Sequence, residues 1–391
     1  MADLPGPKIR IGAFAEEPVT LAAGETFTLT TEGLTGSRQR VSVSFPQLPA
    51  AVRPGDRLFL NDGYIVMEVA RIDGPEVVCR VLVGGELRSR KGLNLPGIDL
   101  GISAFTAHDR SCLEFALKHG VDAVSQSFVD RPEDIAAVRA AAADLGYRPM
   151  VIAKIERSGA LERIEAIVDA ADGIMVARGD LGVEIPIEEM AVVQKRLMRL
   201  ANLKCKPVIT ATQMLESMIT NRLPTRAEAT DVANAILDGT DAVMLSEETA
   251  VGAHPLAAVA MMDRIAAEAE RHFPYRTWGY RFDRRALESD AEAVAHAACE
   301  MAQRIGAAAI LTLTRSGATT RLVAKFRPPQ PVLALTPEAA TGRRLALTWG
   351  AVPLHVPTAL DAEAMEREAL TRAVAGGWLK PGQKAVVTAG V

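Results

Sequence analysis

Between about Ile98 and Glu270 the sequence alternates short apolar runs with longer amphipathic stretches, and this narrows the possible folds more than any other feature. The apolar runs are Ala123 to Val129, Met150 to Ile155, Gly173 to Ala177, Pro207 to Thr212 and Ala242 to Ser246, all of strand length. The stretches 132–145, 158–170, 187–204, 225–238 and 255–270 have helical period. Strands buried on both faces read as continuous apolar runs, and strand–helix alternation is what a parallel sheet with crossover helices requires. Thr225-Arg226-Ala227-Glu228 fits a capping box, whose hydroxyl and carboxylate satisfy orphan amides at a helix start. A further strand at Met1 to Leu4 gives about six, against eight in a closed βα barrel of about 250 residues. The expected fold class is therefore α/β: an incomplete TIM-type barrel or an open parallel sheet.

Two other textures flank the repeat. From about Pro18 to Arg90, the β-rich runs Thr26 to Leu29, Asp56 to Leu60 and Glu76 to Val83 are punctuated by Asn61-Asp62-Gly63 and Gly84-Gly85, which predicts a small all-β domain. Residues 272–290 break the repeat with His272, Phe273, Tyr275, Trp278 and Tyr280 among arginines, and suggest a linker. Beyond them we expect helix 290–305, strand 308–313, helix 317–326, strand 332–335, helix 338–348, strand 351–356, helix 361–375 and strand 384–388, a small open α/β sheet. The expected organisation is barrel at 1–13 and 91–271, inserted β lid at 14–90, linker at 272–289 and C-terminal α/β domain at 290–391.

Charge and cysteines narrow the function. Lysine plus arginine number 44 against 48 aspartate plus glutamate, a net charge of −4, and no basic tract stands out. Nucleic acid and anionic membranes are poor partners for such a surface, and no apolar run has the length of a membrane span, so small solutes are the expected ligands. Cys79, Cys112, Cys205 and Cys299 are widely spaced, with no CxxC pair and no signal peptide, which suggests a reduced, cytoplasmic protein without structural zinc.

In βα barrels the chemistry collects where strands end. Polar residues crowd there: Lys154-Ile155-Glu156, Ala177-Arg178-Gly179-Asp180, Thr212-Gln213 and Ser246-Glu247-Glu248-Thr249. Glu156 and Asp180 lie one repeat apart, which would set two carboxylates side by side at one rim, a pair suited to Mg²⁺, or Mn²⁺ in its place. Lys154 would face the same side and offer a point charge to a phosphate or enolate oxygen. Gly179 and Gly182 would let backbone amides approach a substrate carboxylate. Taken singly, each of these residues is equally consistent with a solvated strand end or a structural ion pair. Together they point to a site.

Four segments spell a family: Asp3-Leu4-Pro5-Gly6-Pro7-Lys8-Ile9-Arg10, Ser89-Arg90-Lys91-Gly92-Leu93-Asn94-Leu95-Pro96, Met175-Val176-Ala177-Arg178-Gly179-Asp180-Leu181-Gly182 and Ala211-Thr212-Gln213-Met214-Leu215-Glu216-Ser217-Met218. Over its whole length the chain resembles pyruvate kinase. The resemblance implies a barrel interrupted after its third strand by a lid domain and followed by an α/β regulatory domain. It makes Lys154 the lysine that stabilises the phosphoryl group and enolate, and Glu156 and Asp180 the Mg²⁺ ligands. Arg178, Gly179 and Asp180 become the amide cradle of the phosphoenolpyruvate carboxylate, Thr212 a second contact to it, and Ser127 the serine near the phosphate. Ser246 and Glu248 become the polar pair of proton delivery, with Glu247 where the family has glycine. The turn Thr314-Arg315-Ser316-Gly317-Ala318-Thr319 would bind an effector phosphate through Thr314, Ser316 and Thr319; the alternative is a plain helix cap by Ser316.

Relative to the family pattern, we expect the chain to lack two leading βα units, with their phosphate-binding arginine and cation-binding asparagine and serine, and a final loop and strand. The implied function is Mg²⁺-dependent transfer of a phosphoryl group from phosphoenolpyruvate to ADP, giving pyruvate and ATP in a homo-oligomer, a tetramer in the family. The alternative is a catalytically inactive, truncated relative acting as a binding or regulatory module. A pyruvate-enolate lyase barrel would share the metal pair but leave the lid unexplained. Lys8 stands where many family members carry glutamate, and Ile11 where they carry threonine. An ammonium there would supply the charge of a bound K⁺, so K⁺ is expected not to be required.

Overall fold

The structure, a computed structural model, describes residues 1–279, 289–356 and 362–389. Tyr280 and the rest of 280–288 in the expected linker, the first residue of the helix expected at 361–375, and Gly390-Val391 lie outside the described residues. Two compact units are present: Met1–Ala171 with Met175–Gln194, and Asp172–Ile174 with Lys195–Val391. The division falls inside the strand Gly173–Ala177, within the barrel sheet rather than at a lid or linker.

Six strands form that sheet in chain order: Ala2–Leu4, Ala123–Gln126, Met150–Ile155, Gly173–Ala177, Val208–Ala211 and Ala242–Met244. Such an order is the single winding of a βα barrel. Ala123–Gln126, Gly173–Ala177 and Val208–Ala211 are buried throughout, whereas Ala242–Met244 at one edge is only half-buried. The expected helices appear with two changes. Residues 158–170 split into Ser158–Glu162 and Ile164–Ala170 at Arg163, whose guanidinium pairs with Asp130 at 3.2 Å. Residues 187–204 open with the 3₁₀ turn Ile187–Glu189 before the helix Met190–Leu203. Not anticipated were Ala107–Lys118, the short Arg178–Glu184 and the four-residue helices Leu48–Ala51, Glu247–Ala250 and Tyr275–Trp278. The first buries only Asp109, Leu113, Ala116 and Leu117, so its apolar signal is thin.

In the first unit, the lid is a six-stranded sheet with a two-stranded companion, Val19–Leu21 against Gly85–Leu87. Phe27, Leu29, Val41, Leu58, Leu60, Ile65, Met67 and Val77 form its core. The hairpin between Arg57–Leu60 and Ile65–Asp73 turns through Asn61, Asp62 and Gly63, all left-handed, as an Asn-Asp-Gly turn requires. The chain enters and leaves the lid side by side: Arg10 pairs antiparallel with Gly92, Ile11 N–H donates to Lys91 O at 3.0 Å and Leu93 N–H to Ile9 O at 3.0 Å.

The second unit holds the last barrel strands and the C-terminal sheet, ordered Ala351–His355, Val332–Thr336, Ala309–Leu313, Ala385–Ala389, all neighbours parallel. The switch of winding direction falls between the last two, beside the turn from Thr314. A buried arginine ties the barrel strands to this sheet. Arg327, 2% exposed, reaches Asp241 at 3.1 Å, Asn202 and Gly239 O at 2.9 Å each and Ala324 O at 2.7 Å, with its guanidinium 4.9 Å from the Trp349 ring centre. In the described part of the expected linker Phe273 and Trp278 are buried, the Trp278 indole donating to Lys325 O at 3.1 Å, while His272, Arg276 and Thr277 are exposed. The segment's aromatic content is what a solvated linker would not carry.

Candidate active site

At the carboxyl ends of the first three strands, the register sets Asp3 beside Ser125 and Gln126 beside Ala153, which places Ser127 next to Lys154. Lys154 is the hub. Its Nζ lies 3.0 Å from Asp3 Oδ2, 2.7 Å from Ser127 Oγ and 3.0 Å from Glu156 Oε1, with the side chain 12% exposed. Burial works against its charge, but Glu156 and Asp3 outweigh it and hold the ammonium above its usual range. Asp3 was not singled out from the sequence, because a three-residue strand offers too little pattern to show which way it faces.

Glu156, 2% exposed, also accepts the Phe128 N–H on Oε2 at 2.7 Å. That bond supports a left-handed Phe128, φ 57°, a conformation costly for a bulky residue and typical of functional sites. Burial raises the Glu156 carboxyl above its ordinary range; Lys154 pulls it back and the Asp180 charge pushes it up again. Asp180 comes from the helix Arg178–Glu184, which starts directly after its strand without a side-chain cap. Lys8 approaches Asp180 Oδ1 at 3.7 Å in a half-exposed pair. Arg178 is buried, its Nη1 3.5 Å from Gln194. Glu184 accepts the Ser158 amide at 3.3 Å and hydroxyl at 3.2 Å, and burial raises its carboxyl despite the pull of Arg157.

This donor set fits Mg²⁺. Glu156 and Asp180 repel each other across the rim, a penalty that a divalent cation would relieve, and Mg²⁺ takes one or two carboxylates plus waters and substrate oxygens. No group of three or more histidine, cysteine, aspartate or glutamate side chains suited to a metal occurs among the described residues, so nothing competes as a closed cage.

In the second unit, Thr212 follows its strand in a left-handed conformation, φ 67°, as does Gln213, φ 54°. Two such residues in succession store about 1–3 kcal/mol each. The Thr212 hydroxyl donates to Ala211 O at 2.6 Å. Glu248 is buried, and its oxygens accept the Leu215 N–H at 3.0 Å and the Ser246 N–H at 2.7 Å. Each oxygen thus accepts one backbone N–H, which fixes the Glu248 carboxylate beside Ser246. Ser246 is half-buried and Glu247 exposed. In the turn 314–319 the helix is capped at a left-handed Gly317, φ 83°, not at Ser316. Thr314 Oγ1 accepts the Gly317 N–H at 2.9 Å, Ser316 Oγ takes the Ala318 N–H at 3.4 Å, and Thr319 is half-buried.

A barrel rim fronted by a lid, with a fixed ammonium among acidic and hydroxyl side chains, belongs to enzymes that stabilise charge on an anionic substrate. Residues 1–259 match the pyruvate kinase barrel domain and residues 292–391 the pyruvate kinase alpha/beta domain. The chain belongs to the pyruvate kinase family. It is 43% identical over 392 residues to the pyruvate kinase of Thermotoga maritima, covering all of this chain and 83% of the relative. It is 39% identical over 391 residues to that of Clostridium acetobutylicum, with the same coverage. The crystal structure of a pyruvate kinase from Cryptosporidium parvum superposes with a TM-score of 0.94 at 37% identity, covering all of this chain and 81% of the other.

Proposed function

We propose that the rim built around Lys154 carries out the pyruvate kinase reaction, transfer of a phosphoryl group from phosphoenolpyruvate to ADP, giving pyruvate and ATP. The observation that carries this is the Lys154 ammonium, held at once by Asp3, Ser127 and Glu156. As the phosphoryl group departs, negative charge develops on the enolate oxygen, and a preorganised ammonium in a largely buried site stabilises it without reorganisation. Ser127 orients Lys154 from the phosphate side. Glu156 and Asp180 would hold Mg²⁺, or Mn²⁺, which when bound neutralises phosphate and enolate oxygens. The turn Arg178-Gly179-Asp180 would receive the substrate carboxylate; in the second unit, Thr212 keeps the role of carboxylate contact and Ser246 with Glu248 that of proton delivery only as the resemblance implies. Nothing in the structure or among the relatives favours the inactive alternative.

Replacing Asp180 by Ala is expected to lower turnover in Mg²⁺ by about 10³-fold and to abolish Mn²⁺ binding followed by electron paramagnetic resonance. Undiminished Mn²⁺ affinity would remove Asp180 from the metal site.

Lys8 bears on the monovalent cation. Its ammonium lies 3.7 Å from Asp180 Oδ1, and that charge is read as standing in for the K⁺ that many family members need. Turnover in tetramethylammonium buffer is therefore expected to be the same with and without KCl; strong activation by KCl would rule Lys8 out. The turn Thr314–Thr319, beside the switch point of the C-terminal sheet, suits a phosphorylated effector through Thr314, Ser316 and Thr319. Calorimetry with sugar phosphates should register binding, and an absence of heat would leave only a helix cap. A cytoplasmic homo-oligomer is what the resemblance implies for this chain; no helix among the described residues is long and apolar enough to cross a membrane, and all four cysteines are free.

A further inference from the structure

The turn that delivers Lys8 has a peculiarity of composition. In Pro5-Gly6-Pro7 neither proline has an N–H, so Gly6 provides the segment's single backbone donor. Whatever grips that donor sets the direction in which the chain leaves the strand Ala2–Leu4. The partner is Asp109, 103 residues away: its Oδ1 accepts the Gly6 N–H at 2.8 Å, and it is 0% exposed.

Asp109 is otherwise the N3 residue of a capping box on the helix Ala107–Lys118. Its Oδ2 accepts the Thr106 N–H at 2.8 Å and the Thr106 hydroxyl at 2.5 Å, while its own N–H donates to Thr106 Oγ1 at 3.1 Å. A capping box needs one carboxylate oxygen. Here the second is spent on a distant turn.

That turn is tightly determined on its other sides. Gly6 is left-handed, φ 64°, and a Cβ on it would lie 2.9 Å from Ser127 O and 3.0 Å from the Phe128 ring, so the backbone is pressed against the residues beside Lys154. Ser127 N–H donates to Leu4 O at 3.2 Å, and Lys8 N–H donates back to Gly6 O at 2.9 Å, closing the turn. The stem of Lys8 then leads to Asp180 at 3.7 Å, in a pair whose lysine is 36% exposed. An ion pair that open does little to fix a flexible stem. The placement of Lys8 comes from the backbone.

We infer that Asp109 is a positioning residue for Lys8, acting through the Gly6 N–H to hold its ammonium beside Asp180. The inference rests on the proposed role of Lys8 as stand-in for a monovalent cation, and its test keeps the two separable. Steady-state kinetics of the full chain in tetramethylammonium buffer compare wild type, Asp109→Asn, Lys8→Met and the double variant, each with and without KCl. Asparagine offers one oxygen where aspartate offers two, so it must surrender either the cap or Gly6.

The expected result is a loss in kcat/KM for phosphoenolpyruvate of about tenfold from Asp109→Asn in the wild-type background, shrinking to less than about twofold in the Lys8→Met background. Equal losses in both backgrounds would overturn the inference, since Asp109 would then act independently of Lys8. Activation of the wild type by KCl would instead refute the role given to Lys8, while the comparison of backgrounds still decides what Asp109 does. Thr106→Ala weakens the cap yet leaves Gly6 gripped; a merely structural aspartate predicts the same kcat/KM loss from it as from Asp109→Asn, and that equality too would overturn the inference. Should Asp109→Asn fail to fold, Asp109→Glu, which shifts both oxygens by one methylene, is read in the same two backgrounds with the same criterion.

Discussion

Replacing Lys154 by Met should lower kcat by about 10³-fold while leaving the protein folded in the presence of Mg²⁺. Methionine keeps the stem and its packing but removes the ammonium on which Asp3, Ser127 and Glu156 converge. The catalytic loss follows from the missing charge at the developing enolate, where a single preorganised donor is worth about 10²–10³ and a cation more than a neutral group. A structural effect accompanies it. Glu156 is 2% exposed, and without Lys154 it becomes a buried carboxylate with only the Phe128 amide for company. Unpaired buried charges of this kind cost about 3–5 kcal/mol. Mg²⁺ supplies the missing countercharge, so the melting temperature of the variant should depend on Mg²⁺ more steeply than that of the wild type. A coupled pyruvate assay and thermal melts across a Mg²⁺ series check both halves. A variant that keeps more than about a tenth of wild-type kcat would displace Lys154 from the centre of the chemistry.

The second large effect is on stability and lies in the second unit. Arg327→Met is expected to destabilise that unit by about 3–5 kcal/mol, because it leaves Asp241 buried without its cation. Burying an apolar pair instead is often harmless in such cases, but not here: Asp241 also accepts the Val208 N–H and the Trp349 N–H, both at 3.0 Å, so removing it orphans two amides. Asp241→Asn, which retains an acceptor, should therefore be milder than Asp241→Leu. Trp278 and Trp349 flank the guanidinium at 5.9 and 4.9 Å, so tryptophan fluorescence in a urea titration reports this unit directly. A midpoint unchanged by Arg327→Met would mean that desolvation cancels everything the guanidinium contributes.

What the sequence disclosed and what it hid follow from how each residue is buried. The barrel strands were legible because a strand covered on both faces is apolar along most of its length: Gly173–Ala177 is so throughout, Met150–Ile155 is broken only by Lys154, and Ala123–Gln126 turns polar only at its last two residues. Lys154, Glu156 and Asp180 were legible because charged residues directly after such runs are conspicuous. Asp3 and Asp109 were not, since each acts through a contact more than a hundred residues away in sequence. Thr106-Ala107-His108-Asp109 does carry a cap signature like that of Thr225–Glu228, but nothing local shows that its second oxygen is engaged elsewhere. Arg327, within Lys-Phe-Arg-Pro-Pro, looks like any surface cation until Asp241 and two tryptophans are folded around it. The left-handed Thr212 and Gln213 were equally invisible, because local preference argues against that conformation for both residues.

The paired crossings into and out of the lid bear on how such an enzyme is assembled from parts. Because Ile9–Gly12 and Arg90–Leu93 are bonded to each other, the lid enters and leaves the barrel at what is effectively one point, its two ends about one strand spacing, roughly 5 Å, apart. An insertion anchored that way leaves the host's winding intact. The lid is thus a cassette: a lineage can enlarge it, trim it or exchange it without re-threading the strands that hold Lys154, Glu156 and Asp180.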